Sequence, residues 1–280
     1  MRKRSLCFTL MLSASFGLAV VQPLQAKVYQ SVDKTYTATT PIVDLAVSVD
    51  GTITFILGPN GKITIYNKGE KEEISVDGDF DHILAPGMGD KIWLSSQKTK
   101  QVKEVFVDFV KQLSADGSPF LGEEKAPVVI TTFSDFQCPH CAQLGEVFQK
   151  LLEKNPTSLK IVYKFNPLPN HQFAGAASVA AYAAQQQGKF WQYHDLVYAD
   201  LRDLTLEKLT QFAEKLGLNM PQFQQQMNSQ EAKDKVMKDL QEGRDAGVTG
   251  TPAVFLNGRL VRDRSPESFQ KMIDEALKKK

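Results

Sequence analysis

Between Phe133 and Leu144 the chain reads FSDFQCPHCAQL, with Cys138 and Cys141 separated by Pro139 and His140. Two cysteines at this spacing can clip a metal, staple a loop or carry a transferable disulfide. A tetrahedral zinc site needs four ligands and a disulfide framework needs several pairs. The chain has three cysteines and four histidines, and Cys7 lies in an N-terminal stretch that reads as a removable export signal. His82, His171 and His194 are then the histidines left to complete a site, and none has the spacing of a zinc ligand pair. A bridge across so short a loop removes little unfolded-state entropy. The metal and staple readings are therefore weak, and no metal or other cofactor is expected.

The redox reading depends on what positions the pair. The apolar run Val128-Val129-Ile130-Thr131-Thr132-Phe133 has the pattern of a buried strand. Behind the motif, Leu144, Val147, Phe148 and Leu151 fall at helical spacing. A strand running into Cys-x-x-Cys at a helix start puts the first sulfur beside unpaired backbone N–H groups and the positive end of the helix dipole, both of which favour a thiolate. Cys141, one turn further in, is placed to resolve a mixed disulfide. Pro139 suits the first helical position, where a missing N–H costs nothing. His140 is expected to add a positive or hydrogen-bonding group near the Cys138 thiolate, stabilising the dithiol and making the disulfide a stronger oxidant.

The rest of the chain divides into segments. Residues 1–26 place Arg2, Lys3 and Arg4 before an apolar run and end near Ala26, the three parts of a cleavable secretory signal. Their removal takes the formal charge from +1 to −2, and nothing in that balance suggests a nucleic-acid partner. Residues 27–110 alternate apolar and polar positions between turn signals such as Asp50-Gly51, which predicts a β-rich domain. Leu45, Val47 and Val49 would share one face, and Ile53, Phe55 and Leu57 a face of the next strand. An internal echo at an offset of 38 pairs Leu45 with Ile83, Gly51 with Gly89 and Phe55 with Trp93, a period of the kind seen in propeller blades. Residues 111–125 carry turn signals without periodicity and read as a linker. Residues 126–280 give strand, helix, strand, a nearly continuous helical block over 171–245, strand and a closing helix with Ser265 as N-cap and Pro266 at the first position. That order describes an α/β core with a helical insertion. The helical spacing of Phe190, Trp191, Tyr193 and Tyr198 points to core packing.

FSDFQCPHC (133–141), the segment 170–198 and GVTGTPAVFLNGR (247–259) together resemble, in that family's order, the DsbA-like thiol–disulfide oxidoreductases of thioredoxin fold. The resemblance covers roughly residues 118–278. It implies a thioredoxin-like α/β fold with a helical insertion, preceded here by a smaller β-rich domain. It also implies a surface-exposed nucleophile at Cys138, a resolving thiol at Cys141, a tuning residue at His140, and a cis-proline loop at Thr251-Pro252 that holds an extended peptide. The well-studied single-domain oxidases of the family carry an acidic residue six positions before the first cysteine, where this chain has Thr132; Asp135 lies closer and is the candidate proton relay in its place. Thr251 resembles the isomerase branch and CPHC the oxidase branch. The expected setting is the periplasm, with unfolded or misfolded exported proteins as substrates and a membrane redox partner. The alternative is an isomerase or chaperone-type binding protein whose N-terminal domain holds misfolded chains. Uncovered sheet edges in residues 27–110 raise the expectation of a homodimer through that region, the competing arrangement being a monomer in which that domain packs against the catalytic one.

Overall fold

The computed structural model describes residues 32 and 34–278, so the expected signal segment lies outside the described residues. The chain first forms two antiparallel sheets. One has the order β1 (Asp44–Val47), β2 (Ile53–Leu57), β3 (Lys62–Asn67), β4 (Glu70–Ser75), and the other β5 (His82–Leu84), β6 (Lys91–Ser96), β7 (Gln101–Phe106). Strands β5, β6 and β7 begin 38 or 39 residues after β1, β2 and β3, so the sequence echo is a structural repeat. Gly51 and Gly89, equivalent in the echo, both adopt positive φ in the turn before the second strand.

Phe55, Leu57, Ile63 and Ile65 of the first sheet and Ile83, Ile92 and Leu94 of the second share one apolar core. Leu45, Val47 and Val49 do share a face, but it is the exposed one, and Ala46 and Ser48 turn inward instead. The opposite face of β2 is buried as well, because the chain before β1 folds back over it. Tyr66 donates to the Thr37 carbonyl at 2.5 Å and Thr39 donates to Glu73 Oε1 at 2.7 Å. Strands β1 and β5 meet where Ile83 N–H donates to Asp44 Oδ2 at 3.0 Å. Four of the six residues of the free edge β4 are charged, a composition that opposes edge pairing.

The second region is a five-stranded sheet ordered β12 (Arg259–Leu260), β11 (Ala253–Leu256), β9 (Val128–Ser134), β10 (Leu159–Phe165), β8 (Phe120–Gly122), with β9 and β10 parallel. Helices α1 (Pro139–Lys154) and α7 (Pro266–Lys278) pack on one side of it through Leu144, Phe148, Leu151, Phe269 and Ile273. The helical block is five helices rather than a near-continuous run: α2 (Ala174–Gln185), α3 (Phe190–Ala199), α4 (Leu206–Lys215), α5 (Met220–Met227) and α6 (Gln230–Ala246). Thr205, Asn219 and Ser229 start the last three by accepting backbone N–H bonds at their N-caps. Phe190 and Tyr193 are buried in the block's core, with Trp191 and Tyr198 packed against it.

Residues 111–125 are no free linker. Lys111 N–H donates to the Gly258 carbonyl at 2.9 Å, Leu113 packs on Phe133, Ala246 and Phe255, and Ser114 N–H donates to Glu242 Oε1 at 2.6 Å. The segment crosses the sheet as a strap and ends as β8 against β10. Beneath it lies a buried ionic cluster in which Lys164 Nζ is 3.2 Å from Asp239 Oδ1 and 2.7 Å from Glu242 Oε2, and Lys235 Nζ is 2.7 Å from Asp239 Oδ1. Asp108, just before the strap, pairs with Arg259 and Arg262, and Arg262 stacks over Phe106.

Candidate active site

β9 is buried almost throughout and delivers the chain to Asp135 with no exposed residue on the way. Asp135 folds the next turn. Its Oδ1 accepts Gln137 N–H at 2.6 Å, its Oδ2 accepts Leu168 N–H at 2.7 Å, and His171 Nδ1 lies 2.9 Å from Oδ2. A carboxylate so engaged ties two loops together. Cys138 is the N-cap residue of α1 and Pro139 its first residue. Pro139 needs no partner for a missing N–H there, and Cys141 N–H donates to the Cys138 carbonyl at 3.0 Å.

The two thiols sit in opposite electrostatic surroundings. Cys138 is pulled down to about 5, foremost by the hydrogen bond from Cys141, against the effect of burial and with help from Thr251 and the backbone N–H groups of Cys141 and His140. Cys141 is pushed far up, first by donating to Cys138 and then by burial. The first sulfur therefore carries the charge and the second keeps its proton. His140 contributes its backbone N–H to Cys138. Its imidazole is exposed, with Nδ1 3.4 Å from Gln143 Oε1.

Cys138, expected to be surface-exposed, is 5% exposed, because the Thr251-Pro252 loop closes over it. Cys138 Sγ lies 3.4 Å from the Thr251 carbonyl oxygen, and the Thr251–Pro252 bond is cis. The structure thus brings Cys138, Cys141, Pro139, His140, Thr251 and Pro252 together, although 113 residues separate Cys138 from Thr251. On the far side of α1, Cys141 borders a cavity of about 620 Å³ that also meets Thr132, Ser134, Tyr163 and Tyr198. The sequence showed Thr132 as a departure from a pattern but gave no sign of this space.

Residues 114–275 match the family model described as thioredoxin. A probable disulfide bond formation protein D of Bacillus anthracis is 32% identical over 171 residues, covering 57% of this chain and 78% of that protein. The chain belongs to the DsbA-like branch of the thioredoxin superfamily. The crystal structure of oxidised BdbD from Bacillus subtilis, 20% identical, has the same fold with a TM-score of 0.55, over 61% of this chain and 98% of that one. A Na(+)/H(+) antiporter NhaA 3 of Salinispora tropica is 32% identical over 157 residues, covering 56% of this chain and 24% of that protein. The chain thus spans about a quarter of the length of such antiporter relatives. For a DsbA-like chain, residues 44–107 stand out: both sheets precede the matched segment. Among the described residues no helix is long and apolar enough to cross a membrane.

Proposed function

We propose that this protein is an exported thiol–disulfide oxidoreductase that works chiefly as an oxidase of unfolded secreted polypeptides. The observation that carries the reading is the opposed behaviour of two thiols one helical turn apart, Cys138 held near 5 and Cys141 pushed up. In the oxidising direction a substrate thiolate attacks Cys138 Sγ, forming a mixed disulfide and expelling Cys141 as a thiolate that takes up a proton. A second substrate thiolate then attacks the substrate sulfur of the mixed disulfide and expels Cys138, whose low pKa makes it a good leaving group. The substrate leaves with a disulfide and the enzyme as a dithiol. Cys141 attacks the mixed disulfide only when that step runs backwards or a wrongly joined substrate must be released. An external disulfide donor, a membrane redox partner in this reading, restores the Cys138–Cys141 bond.

The Thr251-Pro252 loop supports substrate binding, because its backbone faces the nucleophile and can pair with an extended chain as an added strand. The periplasm is the compartment where such a donor cycle operates, in keeping with the export signal read in residues 1–26. The test is oxidation of a reduced, unfolded protein with two cysteines, followed by loss of free thiols, against Cys138→Ser and the Cys138→Ser, Cys141→Ser pair. Catalysis by the parent chain that both variants lose is the expected result. Equal rates from parent and double variant would leave a binding protein.

A further inference from the structure

The exchange reaction strands a proton requirement in the interior. When Cys138 is attacked, the electron pair of the broken bond arrives on Cys141 Sγ, which is 4% exposed and held far above an ordinary thiol, first by its bond to Cys138 and then by burial. That sulfur must gain a proton when the disulfide opens and lose one when it closes.

The groups around it narrow the source. Asp135 spends its carboxylate on Gln137, Leu168 and His171. Tyr163 from β10 and Tyr198 from α3 are both raised well above an ordinary phenol by burial, so neither gives up its proton to leave a charge inside. His194 of α3 is lowered by burial, against the pull of Asp195, and stays neutral. Among the described residues these buried groups are engaged or keep their protons, and the space that Cys141 borders offers a path to solvent.

The cavity under α1 supplies the crossing. Its inner wall is Cys141, Thr132 and Ser134, and its outer wall includes Gly145, Glu146 and Gln149 on the exposed side of α1 and Asp195 of α3. Thr132 is 3% exposed, and its Oγ1 has no hydrogen-bond partner within the protein. A buried hydroxyl without a partner, beside a space of this size, is a seat for water. Ser134 and Cys141 both line the cavity, the Ser134 hydroxyl favours the Cys141 thiolate, and Tyr198 OH lies 3.5 Å from Ser134 Oγ. Thr132, Ser134 and Tyr198 thus set hydroxyl groups in the wall of the cavity that Cys141 borders.

We infer that the proton exchanged by Cys141 travels through this cavity on water held by the Thr132 and Ser134 hydroxyls, entering beside Glu146. The inference rests on the redox reading of the cysteine pair. Thr132 is a positioning residue in this account, since it holds the carrier and does not touch the substrate. Each opening event balances: one S–S bond breaks, one forms, and the Cys141 thiolate takes a proton that a cavity water draws from solvent.

Gly145 offers a way to block the route. Gly145 lines the cavity and a Cβ built there meets nothing within 4 Å, so a side chain at this position adds bulk at the cavity wall. The experiment is stopped-flow reduction of the oxidised full chain by dithiothreitol, a small dithiol that reduces an accessible disulfide whatever the protein's cellular task. Thr132→Val, which keeps shape and removes the hydroxyl, and Gly145→Leu should each slow reduction at neutral pH by roughly tenfold. Thr132→Ser should restore the rate, and the Cys138 thiolate titration should stay where it is in all three. Wild-type rates in Thr132→Val and Gly145→Leu overturn the inference, and so does a Cys138 titration that moves along with the rate, which marks a general distortion. A parent chain that fails to oxidise a reduced polypeptide sinks the functional reading instead, while the dithiothreitol rates still decide the cavity's part.

Discussion

The two regions of this molecule bury polar groups in different ways. In the paired sheets of residues 44–107 the buried polar side chains are neutral hydroxyls, Ser48, Thr54, Thr64 and Ser96. The DsbA-like region buries Asp135, Lys164 and Asp239 at 0–1% exposure. A hydroxyl taken out of water costs little once bonded, whereas a charge requires a partner of opposite sign and close geometry. The first region is therefore held by apolar packing, and the second depends on a few long-range pairs that cannot be lost singly.

The largest expected effect breaks that contrast at its centre. Asp239→Ala removes the partner of Lys235, one of the two partners of Lys164 and the acceptor of Phe165 N–H, and should cost about 3–5 kcal/mol in chemical denaturation. A loss under 1 kcal/mol would show that the second region does not depend on this cluster. The next effect is a pH dependence. A Cys138 thiol near 5 in the folded dithiol, against about 8.5 in an unfolded chain, stabilises the reduced protein fully above pH ~8.5 and progressively less as pH falls through 5. The oxidised form lacks this contribution. The stability gap between the two forms should therefore narrow on acidification, by an amount of the order of 3 kcal/mol after allowance for partial solvent screening. Parallel denaturation midpoints across that range would remove the thiolate argument.

Smaller effects sharpen the other side of the comparison. Ser48 Oγ donates to Asp50 Oδ1 at 2.6 Å and accepts Ile53 N–H at 2.9 Å, closing the β1–β2 turn. Ser48→Ala should cost roughly 1–2 kcal/mol, read as a shift in thermal midpoint of the first region alone. Asp108→Ala, at the partly exposed junction with Arg259 and Arg262, should cost about 0.5–1 kcal/mol and speed limited proteolysis between residues 107 and 113.

What the sequence disclosed follows the range over which each feature acts. The helix start at Cys138-Pro139, the Ser265-Pro266 cap and the 38-residue echo are local or periodic, and all three stand in the structure. Alternation put Leu45, Val47 and Val49 on one face but could not say which face meets water, because that is settled by the segment before β1. The Asp135–His171 and Lys164–Asp239 pairs join residues 36 and 75 positions apart, and no spacing rule reaches that far. The strap was missed for a related reason. Turn-rich and aperiodic, it is held by partners on α6 and at the β11–β12 turn that only the folded chain brings near.

That strap governs where the molecule can be cut. A fragment starting at residue 126, the boundary that composition suggests, would lose β8 and leave the Lys160–Val162 side of β10 as a bare edge open to pairing with other chains. It would also leave Glu242 without Ser114 and Lys235 without Ser118. A fragment beginning at Lys111 keeps the whole crossing segment, so protein engineers wishing to graft a different amino-terminal module should splice at the Asp108–Lys111 junction, upstream of the seam.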